Sequence, residues 1–235
     1  MAKEELQLQS RGLSKPSLAI FDTFKTRKNK FTGEAKRQRG IIAHLAMEVG
    51  PELKTRTSIA HAIAKKHGIL WQNIYSGIFR DLDEILVPSG VVKEGGRLPL
   101  RRGPRALQQE GMPYYELTDA GLLVASSLQE LSDLRAKLLE KYLSTLSNTD
   151  PNQKLLKEGI LLLLKIAPSF VFKIVKEYIL SYSQGVITEL VPMNVKKLRS
   201  IVADTIRVES ELIEAFAALS DDKKEMVCKF IRVIS

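Results

Sequence analysis

The chain has 235 residues, 44% of them hydrophobic, which is enough to build a packed core in one large domain or two small ones. Its formal charge is +9, and residues 1–110 hold 20 Lys or Arg against 11 Asp or Glu, whereas the remaining residues balance 16 against 16. A basic half joined to a neutral half indicates that only the first half meets a polyanion; ordinary solubilising surface charge is the competing interpretation.

The sequence predicts neither a disulfide framework nor a membrane protein. Cys228 is the single cysteine, and we expect it to be a small core residue of a cytoplasmic protein. The polar N-terminus predicts no signal peptide. The most apolar stretch, residues 160–175, is interrupted by Lys165, Pro168 and Lys173, so it is predicted to be buried helix rather than a membrane span.

Residues 1–35 are predicted to form a basic N-terminal arm that is partly flexible, because polar residues dominate them. Within the arm, Ile20, Phe21 and Phe24 predict a short amphipathic turn that docks on the following domain. The basic run continues past residue 35. Its candidate contacts to a polyanion are Lys28, Lys30, Arg37 and Arg39.

Apolar residues at helical spacing predict three helices in residues 36–86. Gly50 and Pro51 end the first helix, and Gly68 ends the second, for which Thr57 and Ser58 are the predicted N-cap. Trp71 opens the third. The predicted helices cover residues 36–49, 59–67 and 71–86.

The third predicted helix is amphipathic. Its apolar face begins at Trp71, and Tyr75 lies at the border of that face. The opposite face is polar and is acidic only towards its end, where Asp81, Asp83 and Glu84 are more typical of solvent-facing charge than of acid–base catalysis. The polar residues of that face are Gln72, Asn73, Ser76 and Arg80.

Two short strands are predicted at residues 91–93 and 114–117, followed by a return to helix at Thr118. The loop between them is rich in glycine and basic residues. Its arginines are Arg97, Arg101, Arg102 and Arg105.

Residues 36–126 resemble the winged helix-turn-helix domain of bacterial and archaeal transcription regulators. The resemblance rests on the order of elements and on two phrases, Ile85-Leu86-Val87-Pro88-Ser89-Gly90-Val91-Val92 and Tyr114-Tyr115-Glu116-Leu117-Thr118-Asp119-Ala120-Gly121. In that family the first phrase corresponds to the passage from recognition helix to wing, and the second to the closing strand and the next helix. The loop at residues 95–113 is longer than is usual for the family.

The resemblance implies binding of double-stranded DNA, with two groups of contacts. Amide and guanidinium groups at the start of the recognition helix pair with base edges, and that group is Gln72, Asn73, Ser76 and Arg80. The second group grips the sugar–phosphate backbone and comprises Lys54, Arg56, Lys65, Lys66, Tyr75, Arg97, Arg101, Arg102 and Arg105. The alternatives are an ordinary polar helix face and a solvated basic loop.

The C-terminal half is predicted to be all-helical, so the fold class is mainly α with a small β-hairpin. Residues 127–147 are predicted to be a connecting and dimerisation helix, because apolar residues fall at steps of three and four at Leu128, Leu131, Leu134, Leu138, Tyr142 and Leu146. Residues 150–235 are predicted to form a separate helical domain. Its helices are predicted to begin at Pro151 and to cover residues 169–182, 194–208, 209–219 and 220–233.

The sequence thus predicts a sequence-specific DNA-binding protein, a transcriptional regulator that acts as a homodimer through the helices after the wing. We expect no enzyme, cofactor or metal, because His44, His61 and His67 have no partners at metal-ligand spacing and no phosphate-binding loop occurs. No small-molecule effector can be named. The alternatives are a winged-helix protein-interaction scaffold and a protein that binds structured RNA.

Overall fold

The computed structural model describes residues 18–27, 30–99 and 111–234, which are mainly helical with one two-stranded antiparallel sheet, as the sequence predicts. In these ranges the α-helices are α1 (Gly33–Met47), α2 (Arg56–His67), α3 (Gln72–Arg80), α4 (Asp119–Ser126), α5 (Leu134–Thr145), α6 (Pro151–Ile166), α7 (Pro168–Ser183), α8 (Val195–Ala217) and α9 (Asp221–Ile234). The strands are β1 (Val92–Leu98) and β2 (Met112–Leu117).

The first two helices begin earlier than predicted, each at a threonine cap. Thr32 caps α1, so that helix starts three residues before the predicted position. The N-cap of α2 is Thr55 rather than Thr57 or Ser58, because the Thr55 hydroxyl accepts a hydrogen bond from the Ser58 backbone N–H at 3.3 Å. The α2 C-terminus matches the prediction, since Gly68 adopts the left-handed conformation at φ 64°.

The third predicted helix is present but changes its winding. Residues 72–80 are α-helical and Asp81–Leu86 form a π-helical turn. Ile78, Leu82 and Leu86 are fully buried, so the apolar face continues through the change of winding. The π-helical turn alters which way the acidic residues at this end of the helix point.

The β-hairpin is longer than predicted. In β1 the backbone continues through Gly95 and Gly96 with a bulge between Glu94 and Gly96. Glycine is required at position 95 because a Cβ there would lie 2.5 Å from the Tyr114 ring. A single antiparallel bridge between Thr55 and Tyr114 ties the hairpin to the start of α2.

The junction from β2 to α4 explains the sequence of residues 114–121, which ends in Gly121. Thr118 caps α4, accepting from the Gly121 N–H at 3.1 Å, and its hydroxyl donates to the Gly90 carbonyl at 2.5 Å. A Cβ at Gly121 would overlap the Val91 carbonyl oxygen, so α4 lies directly on the chain that enters β1.

The predicted single helix over residues 127–147 is wrong. A 3₁₀ turn at Gln129–Leu131 is followed by Ser132, which has a positive φ of 28°, and α5 begins only at Leu134. The apolar stripe does not form an open coiled-coil face either. Leu128, Leu131, Leu138, Tyr142 and Leu146 are all buried inside the same chain.

The C-terminal helices agree with the prediction at the start of α6, where Asp150 caps Pro151. Residues 194–219, predicted as two helices, contain the single helix α8. The apolar stretch at residues 160–175 is divided between α6 and α7, which meet at Ala167 and Pro168. Across the described part of the chain, no helix combines the length and apolar character needed to cross a membrane.

The buried apolar residues form one contiguous core that extends from Leu18 to Met193. The described part of the predicted N-terminal arm belongs to this core, because Leu18, Ala19 and Ile20 are buried. Gln38 of α1 holds this segment by accepting from the Ala19 N–H at 2.9 Å. Of the predicted docking residues, Ile20 is fully buried whereas Phe24 is largely exposed.

Candidate nucleic-acid interface

The predicted base-reading residues lie together on the exposed face of α3. Gln72, Asn73 and Ser76 in its first half and Arg80 at its end are all exposed. The start of the helix is held by aromatic contacts. Trp71 lies 4.6 Å from the His61 ring of α2 and 5.5 Å, edge to face, from Tyr75. The half-buried Tyr75 thus supports α3 from its inner side.

Asp81 was predicted to face solvent, but in the structure it does not. Its side chain is completely buried and accepts from Arg37 of α1, with the guanidinium Nε at 2.7 Å and Nη2 at 3.3 Å. Arg37 passes over Gly77, where a Cβ would lie only 2.8 Å from Nε. Arg37, predicted to contact a polyanion, is therefore a residue of α1 that holds α3 through Asp81.

Asp83, the second acidic residue of the π-helical turn, also has an internal partner. Arg56 Nη2 donates to Asp83 Oδ1 at 2.5 Å, and the Tyr115 hydroxyl donates to the same oxygen at 3.4 Å. The Arg56 guanidinium stacks over Phe79, 4.0 Å from the ring centroid. Burial raises the pKa of Tyr115 to about 12, so its hydroxyl keeps its proton at neutral pH.

The contacts of Arg56 connect α2, α3 and β2 rather than projecting into solvent. Arg56 was predicted to contact the DNA backbone, whereas in the structure its Nη2 bonds to Asp83 and its guanidinium lies over the Phe79 ring.

Arg39 is likewise internal. It is 5% exposed, donates to the Ile20 carbonyl at 3.0 Å, and forms a bidentate pair with Glu130 at 2.6 and 2.5 Å. Burial by itself raises the pKa of Glu130, but the hydrogen bond and charge of Arg39 outweigh it and hold that pKa below its usual range. Arg39, also predicted to contact a polyanion, is therefore buried and joins α1 to the turn before α5.

Several predicted backbone contacts remain at the surface. Lys65 and Lys66 are exposed in the last turn of α2, Lys30 is exposed, and Lys54 is half-buried at the end of a 3₁₀ turn. Arg97 lies on β1, where its Nε is 2.9 Å from Glu94. Lys28, Arg101, Arg102 and Arg105 lie outside the described residues.

Lys36 is a surface cation that is not among the predicted contacts to a polyanion. It is exposed on α1 and lines the same cleft between α1 and α2 as Lys66 and His67. The helical pattern of the basic run could have identified Lys36 as a surface residue. In the structure Lys36 is exposed, whereas Arg39 is buried and Arg37 is half-buried.

Two of the histidines make contacts within the fold. His44 is buried with Nε2 2.8 Å from the Leu53 carbonyl oxygen, and His61 stacks on Trp71. Over the described ranges, no three His, Cys, Asp or Glu side chains come together as a metal site would require. Cys228 is half-buried on α9 rather than in the core.

No family model, curated protein or solved structure matches this chain. The functional interpretation therefore depends on the geometry of the chain itself.

Proposed function

We propose that this protein binds double-stranded DNA sequence-specifically, as a transcriptional regulator, through a winged helix-turn-helix unit made of α1, α2, α3, the hairpin and α4. Helix α3 is the recognition helix of this proposal, and the β1–β2 connection is its wing. The order of these elements and the four-residue turn between α2 and α3 support the interpretation.

The observation that carries the proposal is the charge distribution on α3. Gln72, Asn73 and Ser76 are exposed on α3, and in the π-helical turn that follows it Asp81 and Asp83 pair with arginines of α1 and α2 while Glu84 is exposed. An outward carboxylate repels phosphate, and pairing with arginine reduces that repulsion at Asp81 and Asp83. Amide groups near a helix N-terminus are the groups that pair with adenine in the major groove.

The gripping surface of the proposal consists of lysines at the end of α2 and on α1. Lys65 and Lys66 lie in the last turn of α2, and Lys36 of α1 lies across the cleft that Lys66 also lines. The wing arginines Arg97, Arg101, Arg102 and Arg105 add to it. Such contacts strengthen binding to every sequence and make it salt-dependent.

The experiment compares the wild type with three double variants on a pool of random duplex DNA, on duplex RNA and over a salt titration. Replacing Gln72 and Asn73 by Ala should flatten the sequence preference, at about 1–3 kcal/mol per lost base contact. Replacing Lys65 and Lys66 by Ala should weaken binding to all duplexes alike and lower the salt slope by about 1 per lost phosphate contact.

The matched control replaces Lys154 and Lys157, two lysines of α6, by Ala, which should change neither quantity. Absence of salt-dependent duplex DNA binding by the wild type would refute the proposal. Tighter binding to duplex RNA than to DNA would assign the same surface to RNA.

A further inference from the structure

An apolar groove lies between α6, α7 and α8 in the neutral half of the chain. Its volume is about 560 Å³, within the range of roughly 300–1,000 Å³ that small-molecule sites occupy. Its walls include residues of all three helices that are buried in the fold, among them Ile160 of α6, Val175 of α7 and Val202 of α8. The groove therefore has the size and the apolar lining of a ligand site.

Gly159 of α6 lines this groove and helps to keep it open. A Cβ at Gly159 would meet nothing within 4 Å, so close packing does not require glycine at this position. Glycine is disfavoured in the interior of a helix because it gains no side-chain contact and loses the most conformational freedom on folding. The missing side chain leaves open space beside α7 and α8 that a ligand can fill.

Helix α8 contributes both an apolar wall and the charge of the groove. Val195, Leu198, Val202 and Ile206 line it at steps of three and four. Arg199 and Arg207 also line it, each one residue after a member of this row, and both are exposed. The apolar interior of the groove is thus bordered along α8 by two guanidinium groups.

The groove itself does not neutralise these two arginines. Among the described residues that line it, Arg199 and Arg207 are the only charged ones. Arg207 pairs with Asp204 of the same helix at 3.3 Å, but both side chains are largely exposed, so this pair contributes little. Arg199 forms an ion pair with no carboxylate of the described ranges. An anionic group at this edge would gain charge-assisted hydrogen bonds, which the planar guanidinium makes best with a carboxylate.

We propose that the groove binds a small amphiphilic carboxylate, with its apolar part between α6, α7 and α8 and its carboxylate on Arg199 and Arg207. The apolar lining supplies the affinity, and the arginines fix the orientation and select an anion. This site lies on helices other than those of the proposed recognition unit, and the inference does not rest on DNA binding.

The charge part of the proposal is tested by calorimetric titration of the full-length protein with decanoate, decanol and decylammonium, each below its micelle concentration. Decanoate should bind most tightly and decylammonium least. Replacing Arg199 and Arg207 together by Gln should weaken decanoate binding by about tenfold and leave decanol binding unchanged, because only the carboxylate loses its hydrogen bonds. Lys196→Gln is the matched control, since Lys196 is an exposed cation of α8 that does not line the groove.

The apolar part is tested by filling the groove. Gly159→Leu should weaken binding of both decanoate and decanol by about tenfold or more, because the leucine side chain occupies the space of the ligand. It should not lower the free energy of unfolding, since leucine is favoured over glycine in a helix. Glu158→Leu adds the same side chain at the neighbouring exposed position outside the groove and should leave binding unchanged.

Three results would overturn the proposal: no binding of decanoate, decanoate binding that neither the arginine variant nor Gly159→Leu weakens, or decylammonium binding as tight as that of decanoate. Light scattering adds a fourth. A wild-type dimer that Gly159→Leu dissociates and Glu158→Leu leaves intact would assign the groove to a second copy of the chain. None of these outcomes depends on whether the protein binds DNA.

Discussion

Three arginines of the basic half, Arg37, Arg39 and Arg56, serve as internal ties between elements. Each donates to a carboxylate on an element other than its own, and Asp81, the partner of Arg37, is completely buried. Removing one partner of a buried pair costs about 3–5 kcal/mol, because the other charge is left uncompensated. Lys36, Lys65 and Lys66 are, by contrast, exposed in the described part of the basic half.

The pair of Arg39 with Glu130 predicts a dependence of stability on pH. Because the folded-state pKa of Glu130 is lowered, its contribution is complete above the unfolded pKa of about 4.3 and is lost as the pH falls through the folded value. We expect Glu130→Gln to lower the free energy of unfolding at pH 7 and to lose that deficit at acidic pH. Urea titrations at a series of pH values measure it.

Glu140→Gln, at an exposed position of α5, is the control for this measurement and should leave the free energy of unfolding nearly constant. A deficit for Glu130→Gln that stayed the same at every pH would contradict the assigned role of the carboxylate.

At the scale of the elements, the packing of α3 on α1 depends on a glycine. Arg37 reaches Asp81 across Gly77, and a side chain there would displace its guanidinium. Helix propensity alone predicts the reverse, since Ala in a helix interior is favoured over Gly by about 0.8–1.0 kcal/mol. The position of α3, and with it the proposed reading face, is therefore set by a tertiary contact.

Gly77→Ala should lower the free energy of unfolding by about 1–3 kcal/mol, the usual cost of overpacking. Gly159→Ala is the matched control on α6, where a Cβ would meet nothing within 4 Å, so it should raise stability by about 0.4–1 kcal/mol. Thermal and urea unfolding of both variants measure the effect. If both substitutions were stabilising, Arg37 would have room to move and the packing argument would fail.

At the scale of the whole molecule, the basic and neutral halves share one core. Helices α6 and α7 of the neutral half are part of that core, so the proposed reading face on α3 is carried by the same packed body as these helices.

The sequence by itself determined the elements whose signals are local. The hairpin, the Gly68 end of α2 and the Asp150 cap of α6 follow from turn and capping chemistry within a few residues, and the amphipathic pattern of residues 71–86 marked α3. The mainly helical fold class was predictable for the same reason. The exposure of Gln72, Asn73 and Ser76 also follows from helical periodicity.

Only the tertiary structure decided which charges face inward and which apolar residues remain uncovered. Arg37 meets Asp81 across 44 residues of chain and Arg39 meets Glu130 across 91, distances over which composition and periodicity carry no information. Leu138 and Tyr142 of α5 and Leu212 and Ile213 of α8 all belong to apolar helical patterns, yet the first two are buried and the last two are more than half exposed. Periodicity shows that a face is apolar, whereas burial depends on what the rest of the chain places against it.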